Sequence, residues 1–247
     1  MIEVYPDLES LSQAAAAMLV EQANRSVAVR GRFSVALAGG ATPRRTYELL
    51  AAPPLADQAP WDRVHVFWGD ERCVPLTDPR SNARLAQAAW LDRVPIPAAQ
   101  IHPINCTSDP ATAAREYEAR LREFFAGQPP ILDLVLLGLG EDGHTASLFP
   151  GDAVLAETGR WVAAVSAAGQ DLQRVTLTPS LINQAAMVVF LVAGGGKAGV
   201  LREVLHGPRE PGRLPAQLIQ PHSGELRWLT DLAAAGSLAQ DAGPVRA

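Results

Sequence analysis

The sequence predicts an α/β protein: a doubly wound, mainly parallel sheet with helices on both faces. Three observations carry that prediction. Short, continuously apolar runs alternate with helix-patterned stretches almost throughout, as expected of parallel strands covered on both sides. Four of those runs end in glycine-rich or charged loops, and in open α/β sheets ligands bind beyond the carboxyl ends of the strands. Finally, 247 residues with 48% apolar and 19% charged side chains can fill one sizeable core.

Taken in order, Leu8 to Val29 is alanine-rich with helical spacing of apolar residues, and Phe33 to Ala38 reads as a buried strand. Thr42-Pro43 opens a helix through Leu50, with Thr as N-cap and Pro at the first helical position. The same device recurs at Asp109-Pro110 and Thr178-Pro179. Val64 to Trp68 is a second strand, and the loop Thr77 to Arg80 leads into a helix from Ser81 to Arg93. A helix from Asp109 to Phe125 precedes the strand Ile131–Leu137, followed by strands at Trp161–Val165, Arg174–Thr178 and Met187–Val192. A helix from Lys197 to Leu205 and a last strand, Glu225–Thr230, complete the pattern. The chain shows no internal repeat, and the proline-rich stretch Gly207–Pro215 reads as a loop. One domain spanning residues 1–247 is expected, with a loosely held tail after Leu232.

A net charge of −5 argues against a general nucleic-acid surface while leaving room for a local basic pocket. Cys73 and Cys106 lie far apart in no C-x-x-C pattern, so they are read as neither a disulfide framework nor a zinc site, which is compatible with a reducing compartment. The start, MIEVYPDLES, lacks the basic and apolar regions of a signal peptide. No apolar run approaches the roughly 20 residues needed to span a bilayer. A cytoplasmic setting without membrane contact is the expectation.

The loops behind the strands carry the chemistry. Gly39-Gly40-Ala41-Thr42 offers close backbone approach, a hydroxyl and a helix N-terminus, which suits a phosphate. Gly194-Gly195-Gly196-Lys197 repeats the arrangement with an ammonium. Neither has Walker spacing, so a compact phosphate is favoured over a nucleoside triphosphate. Asp70-Glu71-Arg72 stands open between a solvated turn with a local ion pair and a site offering an arginine to an anion and a carboxylate to a proton.

The fourth loop, GLGEDGHTASLFP, spells the G-x-G-x-x-G of a dinucleotide site. Its context does not fit: Pro150 arrives too soon for a full helix, no acid ends the next strand near Ser166-Ala167, and Glu141 and Asp142 would repel a pyrophosphate. His144, at a strand end in that loop, is instead a candidate general base, with Asp142 and Glu141 placed to raise its pKa or orient the ring. His65, His102, His206 and His222 form no ligand spacing, so no metal is expected. Ser147 lacks the G-x-S-x-G elbow of a serine hydrolase.

Together, AGGATP, FWGDERCVPLTDPRSNARLA, LGLGEDGHTASLFPG, RVTLTPSLINQA and VAGGGKAGVL resemble the 6-phosphogluconolactonase family, within the glucosamine/galactosamine-6-phosphate isomerase superfamily. The resemblance implies the modified Rossmann-like fold of glucosamine-6-phosphate deaminase and hydrolysis of 6-phospho-D-glucono-1,5-lactone in the oxidative pentose phosphate pathway. It implies that Gly39, Gly40, Ala41 and Thr42 hold the substrate phosphate, with Ala41 standing where relatives often have Ser. It also implies that Arg174 and Lys197 complete the clamp with Arg72 nearby, and that His144 is the catalytic base; beside these, Asp70 is taken as a further substrate-site residue and Asp142 as the first candidate to assist His144.

The alternative within the fold is a sugar-phosphate isomerase or deaminase. Those enzymes carry an acid shortly after the matching histidine, whereas Thr145 to Pro150 contains none. Which of Asp70, Glu71, Glu141 and Asp142 assists His144 stays open at this level. No cofactor is expected. The partner is a small-molecule sugar phosphate, and the chain is expected to be a monomer, with a weak dimer as the alternative.

Overall fold

The computed structural model describes residues 1–107, 109–166 and 171–238. Ala167, at the end of one expected strand loop, and the tail beyond residue 238 lie outside the described residues. In chain order the elements are β1 (Ile2–Tyr5), α1 (Leu8–Arg30), β2 (Phe33–Leu37), α2 (Ala41–Leu50), β3 (Val64–Trp68), β4 (Asp70–Arg72), α3 (Asn82–Ala89) and α4 (Pro110–Phe125). There follow β5 (Leu134–Leu137), β6 (Val162–Val165), β7 (Arg174–Leu177), α5 (Pro179–Ile182), β8 (Met187–Val192), α6 (Ala198–His206), β9 (Glu225–Asp231) and α7 (Leu232–Ala235).

Six strands form one all-parallel sheet in the order β1-β9-β8-β5-β2-β3. Every residue of β2, β5 and β8 is buried. That burial on both faces explains why these strands read as unbroken apolar runs rather than as alternation. From β2 the chain steps outward to β3, then crosses back to place β5 on the other side of β2. The carboxyl ends of β2 and β5 therefore flank a topological switch point, where open α/β sheets leave a crevice.

Local signals set most of the boundaries. Asp7 caps α1 by accepting from the Ser10 amide, and Gly31, at φ 73°, ends it in the left-handed conformation that glycine adopts without penalty. Asp109 caps α4 through the Thr112 amide, as its Asp-Pro start predicts. β5 begins at Leu134 rather than Ile131, because the buried Asp133 turns inward to accept from the amide and hydroxyl of Ser34 and from Arg30.

Several expectations are corrected. Thr42 is inside α2 and does not cap it; the N-cap is Gly40, at φ 101°, and no side chain bonds the free amides. Asp70–Arg72 is no simple turn but a strand, in a second, antiparallel sheet ordered β4-β7-β6. The helix expected through Arg93 stops at Ala89 and continues as a 3₁₀ turn, Leu91–Arg93. Thr178-Pro179 opens only the four-residue α5, without a side-chain cap. The segment after Asp231 is held at its start: α7 is capped by Asp231, and Ala234 and Ala235 are buried.

The cysteines are the plainest correction. Cys73 and Cys106 form a disulfide across a separation of 33 residues. The fold brings the segment after β4 beside the segment before α4, a proximity that spacing in sequence does not display. The pairing removes the support that unpaired cysteines lent to a reducing compartment. No helix among the described residues is long and apolar enough to cross a membrane.

Candidate active site

A cavity of about 340 Å³ opens at the switch point, beyond the carboxyl ends of β2, β3, β5 and β8. Each strand delivers one of the loops singled out from sequence, because parallel strands end on the same side. From β2 comes Gly39-Gly40-Ala41-Thr42, and the uncapped first turn of α2 faces the cavity with its amides free of side-chain caps. Such a helix start is a ready-made anion cradle, carrying both donors and the positive end of the helix dipole. Gly39 cannot be replaced without movement, since a Cβ there would lie 1.9 Å from Asn82 Oδ1.

From β5 comes Gly138 to His144. His144 Nδ1 lies 2.5 Å from Asp142 Oδ1, and the same carboxylate oxygen accepts from the His144 amide at 3.1 Å. The carboxylate fixes the tautomer: Nδ1 carries the proton and donates, leaving Nε2 as the basic nitrogen. Burial alone would raise the Asp142 carboxyl, but the bonds and charge of His144 outweigh it and hold the group below its ordinary value. The ring rests against Phe149, with centroids 4.7 Å apart.

Two glycines of this loop shape the turn that presents the histidine. A Cβ on Gly140 would meet His144 Nδ1 at 2.1 Å, and the Gly140 amide donates to the His144 carbonyl at 2.8 Å. Gly143 has φ 82°, and a Cβ on it would meet Leu214 at 2.6 Å. Gly140 and Gly143 thus close a tight turn around an imidazole, while a Cβ on Gly138 would meet open space.

The small sheet lines another wall. Asp70 pairs with Thr176 and Arg72 with Arg174 in antiparallel register. Arg174 is half-buried over the Phe149 ring, 5.3 Å from its centroid, and its Nη1 lies 3.9 Å from Asp70 Oδ2. Burial lowers the Arg174 pKa from its ordinary value, with Asp70 opposing that shift. Arg72 lines the cavity and is steadied by a 2.6 Å bond from its Nη1 to the Arg80 carbonyl. From β8 comes Lys197, whose Nζ is 3.8 Å from Glu141 Oε1 at the exposed rim.

The four candidate carboxylates separate cleanly. Asp142 is bonded to His144. Glu141 is 76% exposed and faces Lys197. Asp70 is buried and accepts from Ser147 Oγ and Asn82 Nδ2. Glu71, also buried, accepts from Ser81 Oγ and the amides of Arg72, Asn82 and Ala83, so it caps α3 and has no part beside His144. Burial pushes its carboxyl up against the pull of those bonds.

Every expected site residue lines the cavity except Asp142, which stands behind His144. Asn82, which wedges between Gly39 and Asp70, does not stand out in the sequence. The only trace of it was Ser-Asn at a helix start, which reads as an ordinary cap.

An open sheet with a cavity at its switch point, cradling amides on one side and an acid-oriented histidine on the other, defines a class of small-ligand α/β proteins. The chain belongs to the family described as glucosamine-6-phosphate isomerases/6-phosphogluconolactonase, whose profile matches residues 6–228. A 6-phosphogluconolactonase of Synechocystis sp. is 44% identical over 241 residues, covering 96% of this chain and 98% of that protein. The solved 6-phosphogluconolactonase of Trypanosoma cruzi superposes with a TM-score of 0.85 at 29% identity, covering 96% of each chain. A monomeric glucosamine-6-phosphate deaminase matches in fold, with a TM-score of 0.82 at 21% identity over 96% of this chain and 99% of that one.

Proposed function

We propose that the protein hydrolyses 6-phospho-D-glucono-1,5-lactone to 6-phosphogluconate, as a step of the oxidative pentose phosphate pathway, with His144 as general base. The observation that carries the reading is the Asp142–His144 pair set across one cavity from the free first turn of α2. The relatives named above support the substrate.

In this reading the phosphate sits on the amides of Gly40, Ala41 and Thr42 and is clamped by Arg174, Lys197 and Arg72. A lactone is an activated ester, so no covalent nucleophile is required. Nε2 of His144 takes a proton from water as the water oxygen bonds to the lactone carbonyl carbon. The tetrahedral intermediate collapses, the ring C–O bond breaks, and the imidazolium returns the proton to the departing ring oxygen. Asp142 holds the ring and stabilises its cationic form. Base catalysis of this kind is worth roughly 10²–10⁴ in rate. Holding the phosphate far from the reacting carbon fixes the attack geometry. We read residues 1–247 as one functional unit acting on a sugar phosphate in the cytoplasm.

His144→Ala tests the assignment. It should lose hydrolysis by roughly 10²–10⁴ while binding 6-phosphogluconate as before, measured by calorimetry. Retained hydrolysis would remove His144 from the chemistry.

A further inference from the structure

Ser147 takes no part in the reaction above, yet it is completely buried three residues from His144. Its hydroxyl donates to Asp70 Oδ2 at 2.5 Å, and its amide donates to Thr176 Oγ1 at 3.3 Å. Those two acceptors face each other across the β4–β7 ladder, where Asp70 pairs with Thr176. Two residues along the same ladder, Arg72 pairs with Arg174. Side chains two apart on a strand share a face, and directly paired residues of antiparallel strands share it too. Ser147 therefore grips one end of the face whose other end carries both arginines of the cavity.

The turn between His144 and Ser147 is held at both ends. Thr145 Oγ1 donates to the Gly138 carbonyl at 2.8 Å, and the Leu148 amide donates to the Thr145 carbonyl at 2.9 Å. Between them Ala146 sits at φ 48°, a conformation that a non-glycine residue keeps only when its surroundings impose it. A nucleophilic role for Ser147 does not fit, since its hydroxyl is fully buried and committed to a carboxylate.

We infer that Ser147 is a positioning residue: by bonding Asp70 and Thr176 it fixes the His144 turn against the arginine-bearing small sheet, setting the distance from base to bound phosphate. The inference rests on the reading of His144 as the base. It predicts a specific kinetic signature, because the α2 cradle and the β4–β7 ladder that carries the arginines keep their own backbone bonds while the base is released.

The experiment compares Ser147→Ala, Ser147→Thr, Thr176→Val and His144→Ala on fresh 6-phosphogluconolactone, below the melting temperature of each. Ser147→Ala should lower kcat roughly 10²-fold, the scale of a base displaced by about an ångström, with KM unchanged to within about twofold. The affinity for 6-phosphogluconate should likewise hold. Ser147→Thr, which keeps the hydroxyl, should recover most of kcat. Thr176→Val, which cuts the second tie without touching Ser147, should lower kcat about tenfold with KM again unchanged, and it serves as the test should Ser147→Ala not fold.

Wild-type kcat in Ser147→Ala or, where that variant does not fold, in Thr176→Val, would overturn the inference. So would a matched loss in kcat and affinity, which marks general loosening, or a failure of Ser147→Thr to recover. If His144→Ala stays active, the base assignment falls and the positioning role with it. If only His144→Ala loses activity, the inference about Ser147 alone is wrong.

Discussion

Gly140 has no room for a methyl group, because the His144 imidazole occupies the place where a Cβ would stand. One residue thus ties the loop's composition to its chemistry. Gly140→Ala should push the ring away from Asp142 and lower kcat roughly 10²-fold, read in a steady-state assay. A wild-type rate would mean that the turn has slack and that the contact does not set the ring. Arg174 makes the complementary case. Arg174→Ala should raise KM for the phosphorylated lactone about 10- to 100-fold, the loss of a hydrogen bond to a charged group, with a smaller effect on kcat. An unchanged KM would place the phosphate elsewhere.

At the scale of elements, the N-terminus of α3 depends on Glu71, whose buried carboxylate takes three amides and the Ser81 hydroxyl. Glu71→Ala strands those donors and should destabilise the fold by about 3 kcal/mol, visible in a denaturant midpoint; a loss within error would show that water replaces the carboxylate. A second device joins β3 to the segment before α4. His65 Nδ1 and His102 Nε2 are 3.3 Å apart, and His102 stacks on Phe67 with centroids 4.5 Å apart. Burial, then the nearby His65 and Arg120, push His102 down to about 4, and burial with Arg32 lowers His65 as well.

The native state therefore binds fewer protons than the unfolded chain between the ordinary histidine pKa near ~6.5 and about 4. Stability is complete above the upper limit and is lost as pH falls through that window. The melting temperature should fall between about pH 7 and about pH 5, and His102→Gln should lessen the fall. An equal fall in the variant would assign the acid sensitivity to other groups.

Over the whole molecule, the parallel sheet was legible because its central strands are buried on both faces and read as unbroken apolar runs. The loops were legible because parallel strands send their carboxyl ends to one side, so residues far apart in sequence line one cavity. What stayed hidden depends on contact between distant segments. β1 is short and half-exposed, with no apolar run to announce it. β4 is three polar residues whose strand character comes from pairing with β7. Asn82 and Ser147 looked like ordinary polar residues until the fold set them against Gly39 and Asp70. The Cys73–Cys106 bond likewise exists only once the two segments meet. The loop from Gly39 to Thr42 misled in one detail: Thr42 looked like a cap, whereas α2 starts from Gly40 with no side-chain cap on its first amides.

The most direct test of the central claim is a pH-stat assay of the intact protein on freshly generated 6-phosphogluconolactone, corrected for spontaneous hydrolysis, with glucosamine 6-phosphate offered in parallel. Acid release well above the spontaneous rate is expected, abolished in His144→Ala, with no ammonia from the amino sugar. Lactone opening no faster than the spontaneous reaction, or steady deamination of glucosamine 6-phosphate, would contradict it.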